Sequence, residues 1–277
     1  YPSYRIVYHE EKLNAKTAVL AKGSDAVIAF VNDDLGADTL RKLRKRGITC
    51  VAMRCAGYNN VDINYAGEHD MRVTRVPAYS PYAIAEHAMG MLLTLNRKLH
   101  RAYNRVREYN FSLNGLTGFD LHKKTVGVIG TGKIGRVFMD ICKGFGMEVI
   151  AYDPFPFVNG DINYVELDEL FKRAHIISLH CPLTKESYHI INEKAIRKMQ
   201  DGVVILNTSR GALIDSEALV EGLKDGKIRA AALDVYEEEA DIFYEDNSNM
   251  IMQDDILARL ISMPNVLITS HQAFLTE

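Results

Sequence analysis

The sequence predicts an α/β protein made of two doubly wound parallel-sheet domains. Short apolar runs rich in β-branched residues alternate along most of the chain with segments of helical spacing, which is typical of parallel sheets. One run, residues 125–129, ends at the pattern Gly130-x-Gly132-x-x-Gly135, where a helical pattern begins at once. With 277 residues, 47% of them apolar, the chain is long enough for two domains with separate cores.

The glycine pattern has the features of a dinucleotide-binding turn. In such turns the first glycine permits the tight turn, the second lets the backbone approach a pyrophosphate, and the third lets helix and strand pack closely. The next apolar run ends at Asp153, eighteen residues after Gly135, near the roughly 20-residue offset that places a carboxylate on the adenosine ribose. Asp153 would repel the 2′-phosphate of NADP, and its neighbours Tyr152 and Pro154 are not basic. The motif therefore predicts NAD as the cofactor, and a glycine turn without a nucleotide is the alternative.

The first part of the chain predicts a small parallel α/β unit. Strands are predicted at residues 5–9, 26–31, 48–53 and 72–76, and helices at residues 37–45 and 62–69. Residues 54–60 follow the third strand, and Gly57 and the asparagines there supply turn geometry. The backbone N–H groups of Ala56 and Gly57 are candidates for holding a carboxylate. A plain connection from strand to helix, without a ligand, is the alternative.

A long helix is predicted to begin at Ser80 and Pro81. Serine caps helix N-termini, and proline is favoured at the first helical position. Apolar residues keep helical spacing as far as Leu99, so we expect this helix to pack on the second domain. His87 and His100 on this helix are predicted to be structural. No histidine pair keeps a ligand spacing beside a carboxylate, and the sequence therefore predicts no metal site.

The remainder of the chain predicts a six-stranded dinucleotide-binding domain. Apolar runs lie at residues 125–129, 148–152, 176–180, 203–207, 230–235 and 265–269, separated mostly by helical patterns such as 167–173, 193–199 and 216–224. Six parallel strands in two β-α-β-α-β halves form the Rossmann fold, whose ligands bind outside the carboxyl ends of the strands. We therefore expect the site residues at these ends.

Three of these strand ends carry groups suited to reduction of a 2-keto acid. Arg210 follows the fourth strand, Glu239 the fifth and His271 the sixth. An arginine can bind the substrate carboxylate and polarise its carbonyl. An imidazole can deliver a proton to the forming alkoxide, and a carboxylate bonded to that imidazole favours its protonated form. Structural alternatives are a bond from Arg210 to turn carbonyls, a solvated acidic loop around Glu239 and a core position for His271.

Composition narrows the class of partner. A net charge of -3 and a pI near 6.3 give no field that would attract nucleic acid or an anionic membrane. The four cysteines form no C-x-x-C pair and lie in apolar patterns, as in a reduced cytoplasmic protein. No apolar run approaches the roughly 18 residues that cross a bilayer. We expect a small-molecule partner, with no nucleic acid and no membrane.

Seven motifs together resemble the D-isomer-specific 2-hydroxyacid dehydrogenase family, and most closely its bacterial lactate-specific branch. They are RCAGYNNVD, VPAYSPYAIAEHAMG, GVIGTGKIG, ISLHCPLT, NTSRGALID, LDVYEEE and TSHQAFLT. The resemblance covers the chain from about Val27 to Glu277. It implies NADH-dependent, reversible reduction of pyruvate to D-lactate. Formate dehydrogenases resemble the chain less, because they carry glutamine where Glu239 stands.

The resemblance also implies roles for individual residues. His271 would be the acid-base, Glu239 its partner and Arg210 the anchor for substrate carboxylate and carbonyl. Substrate contacts are implied for Ala56, Gly57, Tyr79 and Phe274. Besides the three glycines and Asp153, cofactor contacts are implied for Lys133, Ile134, Cys181, Pro182, Thr208 and Asp234.

The expected organisation is a flavodoxin-like substrate domain, residues 1–80 and 271–277, and a Rossmann NAD-binding domain, residues 81–270, with the active site between them. Relatives imply a homodimer through the NAD-binding domain, or a tetramer. The chain begins at Tyr1 without methionine and ends at Glu277 directly after the histidine strand, so we expect truncation at both ends. The family's usual first strand and helix, and the helix after the histidine strand, are missing from it.

Two other functions remain open from the sequence. Some lactate-specific members place a tyrosine beside the substrate where this chain has Leu35, so another keto acid, such as hydroxypyruvate, glyoxylate or a branched-chain keto acid, is the first alternative. The second is an NAD-sensing binding protein, because related corepressors keep the same fold. No peptide-docking groove or basic face is evident in the sequence to favour it.

Overall fold

The computed structural model describes residues 4–77, 80–157 and 161–276. The chain divides into two compact units, Tyr1–Tyr79 and Ser80–Glu277. Each unit is built on its own parallel sheet with helices between the strands. This confirms the predicted fold class. No helix in the described ranges is long and apolar enough to cross a membrane.

The first unit has a three-stranded parallel sheet in the order β1-β2-β3. Its strands are β1 (Ala26–Ala29), β2 (Cys50–Met53) and β3 (Arg72–Arg75), and its helices are α1 (Ala37–Arg44) and α2 (Ile63–Glu68). Helix α1 buries Leu40 and Leu43 completely, while its charged residues face solvent. Helix α2 begins at Asp62, whose side chain accepts a hydrogen bond from the backbone N–H of Tyr65. The predicted alternation of strand and helix is thus present from residue 26 onward.

The predicted strand at residues 5–9 is wrong. In the structure these residues join no ladder, and Ile6, Val7 and Tyr8 are each more than half exposed. A strand is stabilised by pairing with a neighbouring backbone and by burial of one face. The segment contains β-branched residues, but it neither pairs with another strand nor buries one of its faces.

The second unit has a six-stranded parallel sheet in the order β5-β4-β6-β7-β8-β9. The strands are β4 (Thr125–Ile129), β5 (Glu148–Tyr152), β6 (Ile176–Leu179), β7 (Val203–Asn207), β8 (Ile228–Leu233) and β9 (Val266–Ile268). The helices are α3 (Pro81–Arg97), α4 (Leu99–Arg107), α5 (Lys133–Gly144), α6 (Leu167–Arg173), α7 (Glu193–Lys198), α8 (Ser216–Lys224) and α9 (Asp255–Ser262). Every residue of β4 and β7 is buried, because helices cover both faces of the sheet.

A single bridge completes the usual strand order of the dinucleotide-binding fold. Tyr164 pairs in parallel with Ala151 of β5, and Val165 donates its N–H to the carbonyl of Ala151 at 2.9 Å. If this bridge is counted as a strand next to β5, the first six strands in chain order have the classic arrangement, with the reversal at β4, and β9 lies beyond them as a seventh. The sequence did not indicate this pairing, since residues 162–165 form no apolar run of strand length.

The core of the second unit lies in two layers, one on each face of the sheet. Alternate residues of β7 enter opposite layers: Val203 and Ile205 pack in one, Val204 and Leu206 in the other. Helices α3 and α5 supply the second layer, so the prediction that the helix from Pro81 packs on this unit is confirmed. This helix ends earlier than predicted, because Lys98 has a left-handed backbone with φ 52° and divides α3 from α4.

The tail of the chain contacts the second unit. His271 donates its N–H to the carbonyl of Asp234 at 2.6 Å, and Gln272 and Ala273 donate theirs to the carboxylate of the same residue. The tail accordingly belongs to the same compact unit as residues 80–270, which differs from the predicted grouping of residues 271–277 with the first unit. The predicted assignment of residues 1–80 and 271–277 to a substrate domain stays a prediction.

Candidate active site

The glycine turn lies between β4 and α5, at the point where the strand order reverses. Gly130 has φ 98°, and a Cβ there would lie 2.6 Å from the backbone N of Cys181. A Cβ on Gly135 would lie 2.1 Å from the carbonyl oxygen of Gly130. A Cβ on Gly132, the N-cap of α5, would meet no atom within 4 Å. The turn is therefore tight on the inside and leaves open space at the helix N-terminus, where a pyrophosphate can bind.

Asp153 lies beside this turn, just after β5. Its Oδ2 atom accepts hydrogen bonds from the backbone N–H of Thr131 at 2.7 Å and from the Thr131 hydroxyl at 2.9 Å. Tyr164 donates its hydroxyl to the same Thr131 Oγ1 at 2.8 Å. The acidic residue that the sequence singled out is thus adjacent to the glycine turn, as a ribose contact requires.

The neighbouring strands β6 and β7 end on the other side of the reversal. Ser209 donates its hydroxyl to the carbonyl of Cys181 at 2.6 Å and so joins the two strand ends. Burial raises the pKa of the Cys181 thiol to about 11, which keeps it protonated at neutral pH. Burial also lowers the pKa of His180 to about 4, so its imidazole is neutral where it bonds the Ser178 hydroxyl.

Thr208 carries an unsatisfied polar atom at this edge. Its Oγ1 atom is buried and has no hydrogen-bond partner among the described residues. Buried hydroxyls are normally paired, and an orphan at the carboxyl end of a strand is satisfied when a ligand contacts it. Together with the open helix N-terminus at Gly132 and the position of Asp153, this group fits a bound dinucleotide. The individual contacts implied for Lys133, Ile134, Cys181, Pro182 and Thr208 stay predictions.

His271 and Glu239 form a hydrogen-bonded pair. His271 Nδ1 lies 2.6 Å from Glu239 Oε1, and the other carboxylate oxygen accepts the backbone N–H of Tyr236 at 2.8 Å. A carboxylate can only accept in such a bond, so Nδ1 carries the hydrogen and Nε2 is the nitrogen left to exchange a proton. The two side chains are 16% and 20% exposed, and Glu239 is therefore not a solvated residue of an acidic loop.

Asp234 fixes the backbone on which His271 stands. Its side chain is fully buried. Among the described residues, the carboxylate is contacted by the Thr269 hydroxyl at 2.5 Å, the backbone N–H groups of Gln272 and Ala273 at 2.9 Å each, and the His87 imidazole at 3.4 Å. Burial alone would raise the pKa of Asp234, but these hydrogen bonds outweigh it and hold the pKa below its ordinary value. The contact with His87 agrees with the structural role expected for that histidine.

Arg210 lies in the turn after β7. Asn207 holds this turn, because its amide donates to the carbonyl of Arg210 at 2.8 Å and its oxygen accepts the N–H of Ser209 at 3.0 Å. The Arg210 guanidinium donates to the carbonyl of Ser209 at 2.7 Å. A Cβ on the next residue, Gly211, would lie 2.0 Å from the carbonyl carbon of Tyr236. The arginine turn is therefore packed directly on the loop that ends in Glu239.

The substrate contacts expected in the first unit stay predictions. Cys55 donates its thiol to the carbonyl of Gly57 at 3.3 Å, and Arg75 donates to the carbonyl of Ala56 at 3.0 Å. Both bonds are accepted by carbonyl oxygens of the turn after β2. They fix the backbone near the N–H groups of Ala56 and Gly57, which are the predicted carboxylate donors. Tyr79 lies outside the described residues, and Phe274, in the second unit, is half-buried.

Sequence reasoning missed two features of this site. Asp234 was expected to contact the cofactor, and that role stays a prediction, but its use as the anchor of the His271 segment was not foreseen. Tyr236 was not singled out, although it is buried and its hydroxyl donates to Asp254 at 2.8 Å. Both functions depend on partners distant along the chain, and no local spacing indicates them.

Known proteins of one family resemble this chain. Residues 89–273 match the family model described as the D-isomer-specific 2-hydroxyacid dehydrogenase, NAD-binding domain. D-lactate dehydrogenase of Escherichia coli K12 is 53% identical over 276 residues, which cover 99% of this chain and 84% of that protein.

Two solved structures extend the comparison. The structure reported for the pyruvate reductase of Chlamydomonas reinhardtii has a TM-score of 0.90 at 45% identity and covers 97% of this chain and 82% of its own. D-lactate dehydrogenase of Aquifex aeolicus, in complex with NAD and lactic acid, has a TM-score of 0.83 at 35% identity, with 94% and 79% covered. The chain therefore belongs to the D-isomer-specific 2-hydroxyacid dehydrogenase family and is an NAD-dependent oxidoreductase.

Proposed function

We propose that this chain interconverts pyruvate and D-lactate. The observation that carries the proposal is the hydrogen-bonded pair of His271 and Glu239 beside the turn of Arg210, at the same sheet edge as the glycine turn. The identity of 53% to a D-lactate dehydrogenase, and the likeness to a relative solved with NAD and lactic acid, support pyruvate as the substrate.

In the proposed reaction Arg210 binds and orients the keto acid. Its guanidinium offers a planar fork of donors that fits a carboxylate through two bonds. A further donor directed at the carbonyl oxygen would draw electrons away from C2 and stabilise the negative charge that develops on that oxygen. The packing of Gly211 on the backbone of Tyr236 supports a fixed position of this arginine relative to Glu239.

His271 acts as the proton donor in reduction. NADH, held at the glycine turn and Asp153, would supply the hydride that C2 receives. As the new C–H bond forms, the carbonyl π electrons move to oxygen, and His271 Nε2 gives its proton to that oxygen to complete D-lactate. Glu239 accepts the Nδ1 hydrogen throughout and stabilises the imidazolium before the transfer. In lactate oxidation the neutral imidazole takes the hydroxyl proton by the same path.

We also propose a homodimer formed through the second unit. Helix α4 has no buried residue, and it exposes Leu99, Tyr103 and Val106 at positions that share one face. Tyr109, Phe111 and Leu113 just beyond it are each more than two-thirds exposed. Such an apolar surface is typical of a contact between subunits. Helix α3 is not part of this proposed surface, because its apolar side packs on the chain's own sheet.

The cytoplasmic location stays a prediction. Its support is that all four cysteines are free thiols, as in a reducing compartment.

Replacement of His271 by alanine tests the proposed acid-base directly. We expect kcat for pyruvate reduction to fall ~10²–10⁴-fold, because the proton donor is lost, while the Kd for NADH changes little. His122→Ala is the matched control, since His122 is exposed and precedes β4 at the opposite edge of the sheet. Steady-state kinetics and NADH fluorescence titration measure the two effects. Normal turnover by the variant would refute the assignment.

Replacement of Arg210 by lysine tests substrate anchoring. A point charge replaces a two-pronged donor, so we expect KM for pyruvate to rise by about 10-fold or more with KM for NADH nearly constant. Arg197→Lys, on the exposed face of α7, is the control and should leave both constants unchanged. An unaltered KM for pyruvate in the Arg210 variant would mean that Arg210 only supports its turn.

Replacement of Asp234 by asparagine tests the anchor of the His271 segment through pH. Because the folded-state pKa lies below the ordinary value of 3.8, ionised Asp234 adds stability above that pH, and the contribution is lost as pH falls through the folded-state pKa. We expect the variant to be less stable at pH 7 by about 1–3 kcal/mol, with the difference shrinking below pH 3.8. Thermal unfolding between pH 3 and pH 7 measures it.

Asp140→Asn is the control for that series, because Asp140 is 75% exposed. A destabilisation by Asp234→Asn that is the same at every pH would show that the carboxylate charge is not what holds the segment.

A further inference from the structure

A second histidine–carboxylate pair lies in the second unit. His189 Nε2 is 2.6 Å from Glu237 Oε1, and Ser216 donates its hydroxyl to Glu237 Oε2 at 3.1 Å. The His189 and Glu237 side chains are 25% and 19% exposed, so the pair is largely shielded from water. Because Glu237 only accepts, His189 Nε2 carries the hydrogen in this bond.

These three side chains do not form a nucleophilic triad. In such a triad the imidazole lies between the serine and the carboxylate and takes the serine proton. Here the carboxylate lies in the middle, and Ser216 donates to Glu237 rather than to His189. Nothing in this arrangement activates the hydroxyl. Its chemistry is that of two donors holding one carboxylate in a fixed position.

His189 is tied to the segment that follows Arg210. Its backbone N–H donates to the carbonyl of Ala212 at 2.9 Å, and Ile191 pairs in parallel with Ile214. The backbone of His189 is left-handed, with φ 49°, and its ring stacks on Tyr188 at 3.9 Å between centroids. A left-handed non-glycine residue persists where its surroundings hold it, and such residues cluster at functional sites. His271 is another, with φ 52°.

Glu237 belongs to the short loop that carries Glu239. The loop begins after β8 at Asp234, whose carboxylate accepts a hydrogen bond from the Gln272 N–H in the tail. Within the loop, Tyr236 donates its backbone N–H to Glu239 Oε2. The loop lies against the arginine turn, where a Cβ on Gly211 would be 2.4 Å from the backbone N of Glu237. The bond from His189 to Glu237 therefore connects the segment after Arg210 with the loop that ends in Glu239.

We propose that the His189–Glu237 pair, with Ser216, is a positioning device for Glu239. It holds the loop 234–239 so that the Glu239 carboxylate stays in hydrogen-bond contact with His271, and it keeps that carboxylate in register with the Arg210 turn. This inference rests on the proposed function, in which Glu239 orients the acid-base. Its physical basis is that a misplacement of about 1 Å in a catalytic group can lower the rate by about 10²-fold.

Two variants of His189 separate hydrogen bonding from packing. Phenylalanine keeps an aromatic ring to stack on Tyr188 but cannot donate to Glu237. Glutamine carries an amide N–H near the position of Nε2 and can restore the bond. We expect His189→Phe to lower kcat for pyruvate ~10–100-fold with the Kd for NADH within about twofold, and His189→Gln to recover most of the loss. Glu238→Gln is the matched control, since this neighbouring acid is exposed.

Combination with Glu239→Gln decides whether the pair acts through Glu239. If it does, His189→Phe lowers kcat by less than about twofold in the Glu239→Gln background, because the group it positions is already removed. Equal fold-losses in both backgrounds would overturn the proposal, and so would an unchanged kcat for His189→Phe in the parent protein. A loss that His189→Gln does not recover would assign the effect to packing and would also overturn it.

Failure of the proposed function is distinguishable from failure of this inference. If Glu239→Gln alone leaves turnover unchanged, the proposed role of Glu239 falls, whatever the His189 variants do. If Glu239→Gln reduces turnover and His189→Phe does not, only the positioning role falls. Thermal unfolding of each variant identifies any that fail to fold, and Ser216→Ala, which removes one donor to Glu237 without adding bulk, then replaces His189→Phe in the same comparison.

Discussion

The buried carboxylate of Asp234 is the interaction on which the candidate active site depends. Asp234 directly follows β8, and its carboxylate accepts hydrogen bonds from the Thr269 hydroxyl and from backbone N–H groups in the segment after β9. Two separate parts of the chain therefore share one charged acceptor. Hydrogen bonds to a charged group each contribute about 1.5–3 kcal/mol, more than neutral ones, and here they outweigh the cost of burial, as the lowered pKa indicates. Asp234 holds the backbone from which the His271 side chain reaches Glu239.

The parallel sheet supplies the remaining constraint. All strands of the second unit point the same way, so the turns that contain Gly130, Cys181, Arg210 and Glu239 lie at one edge. The reversal of strand order at β4 leaves a gap at this edge, and there the glycine turn opens toward solvent. The parallel arrangement with its reversal at β4 thus places two things at the same edge. One is a helix N-terminus for an anionic cofactor, and the other is a set of side chains from separate strands for the substrate.

Much of the fold and of the candidate site could be predicted from the sequence, and the features that were not predicted share one cause. The strands of the second unit were predicted well because fully buried parallel strands are continuous apolar runs. The order of the strand ends predicted that a carboxylate and an imidazole would meet, but the choice of Glu239 among the acids after the fifth strand rested on the family resemblance. The strand at residues 5–9 failed because composition does not reveal whether a partner strand exists. The break at Lys98, the bridge at Tyr164 and the contact between His189 and Glu237, 48 residues apart, depend on tertiary packing. A single sequence carries no local signal for such contacts.

The measurement that tests the account most directly is the identity of the product. Purified protein is supplied with NADH and pyruvate, NADH oxidation is followed by absorbance, and the lactate formed is assayed with enantiomer-specific enzymes. The account predicts rapid oxidation of NADH with D-lactate as the accumulating isomer. Formation of L-lactate, or NADH binding without turnover of pyruvate, would contradict it. In the second case the same assay with glyoxylate, hydroxypyruvate and branched-chain keto acids would show which 2-keto acid the site accepts.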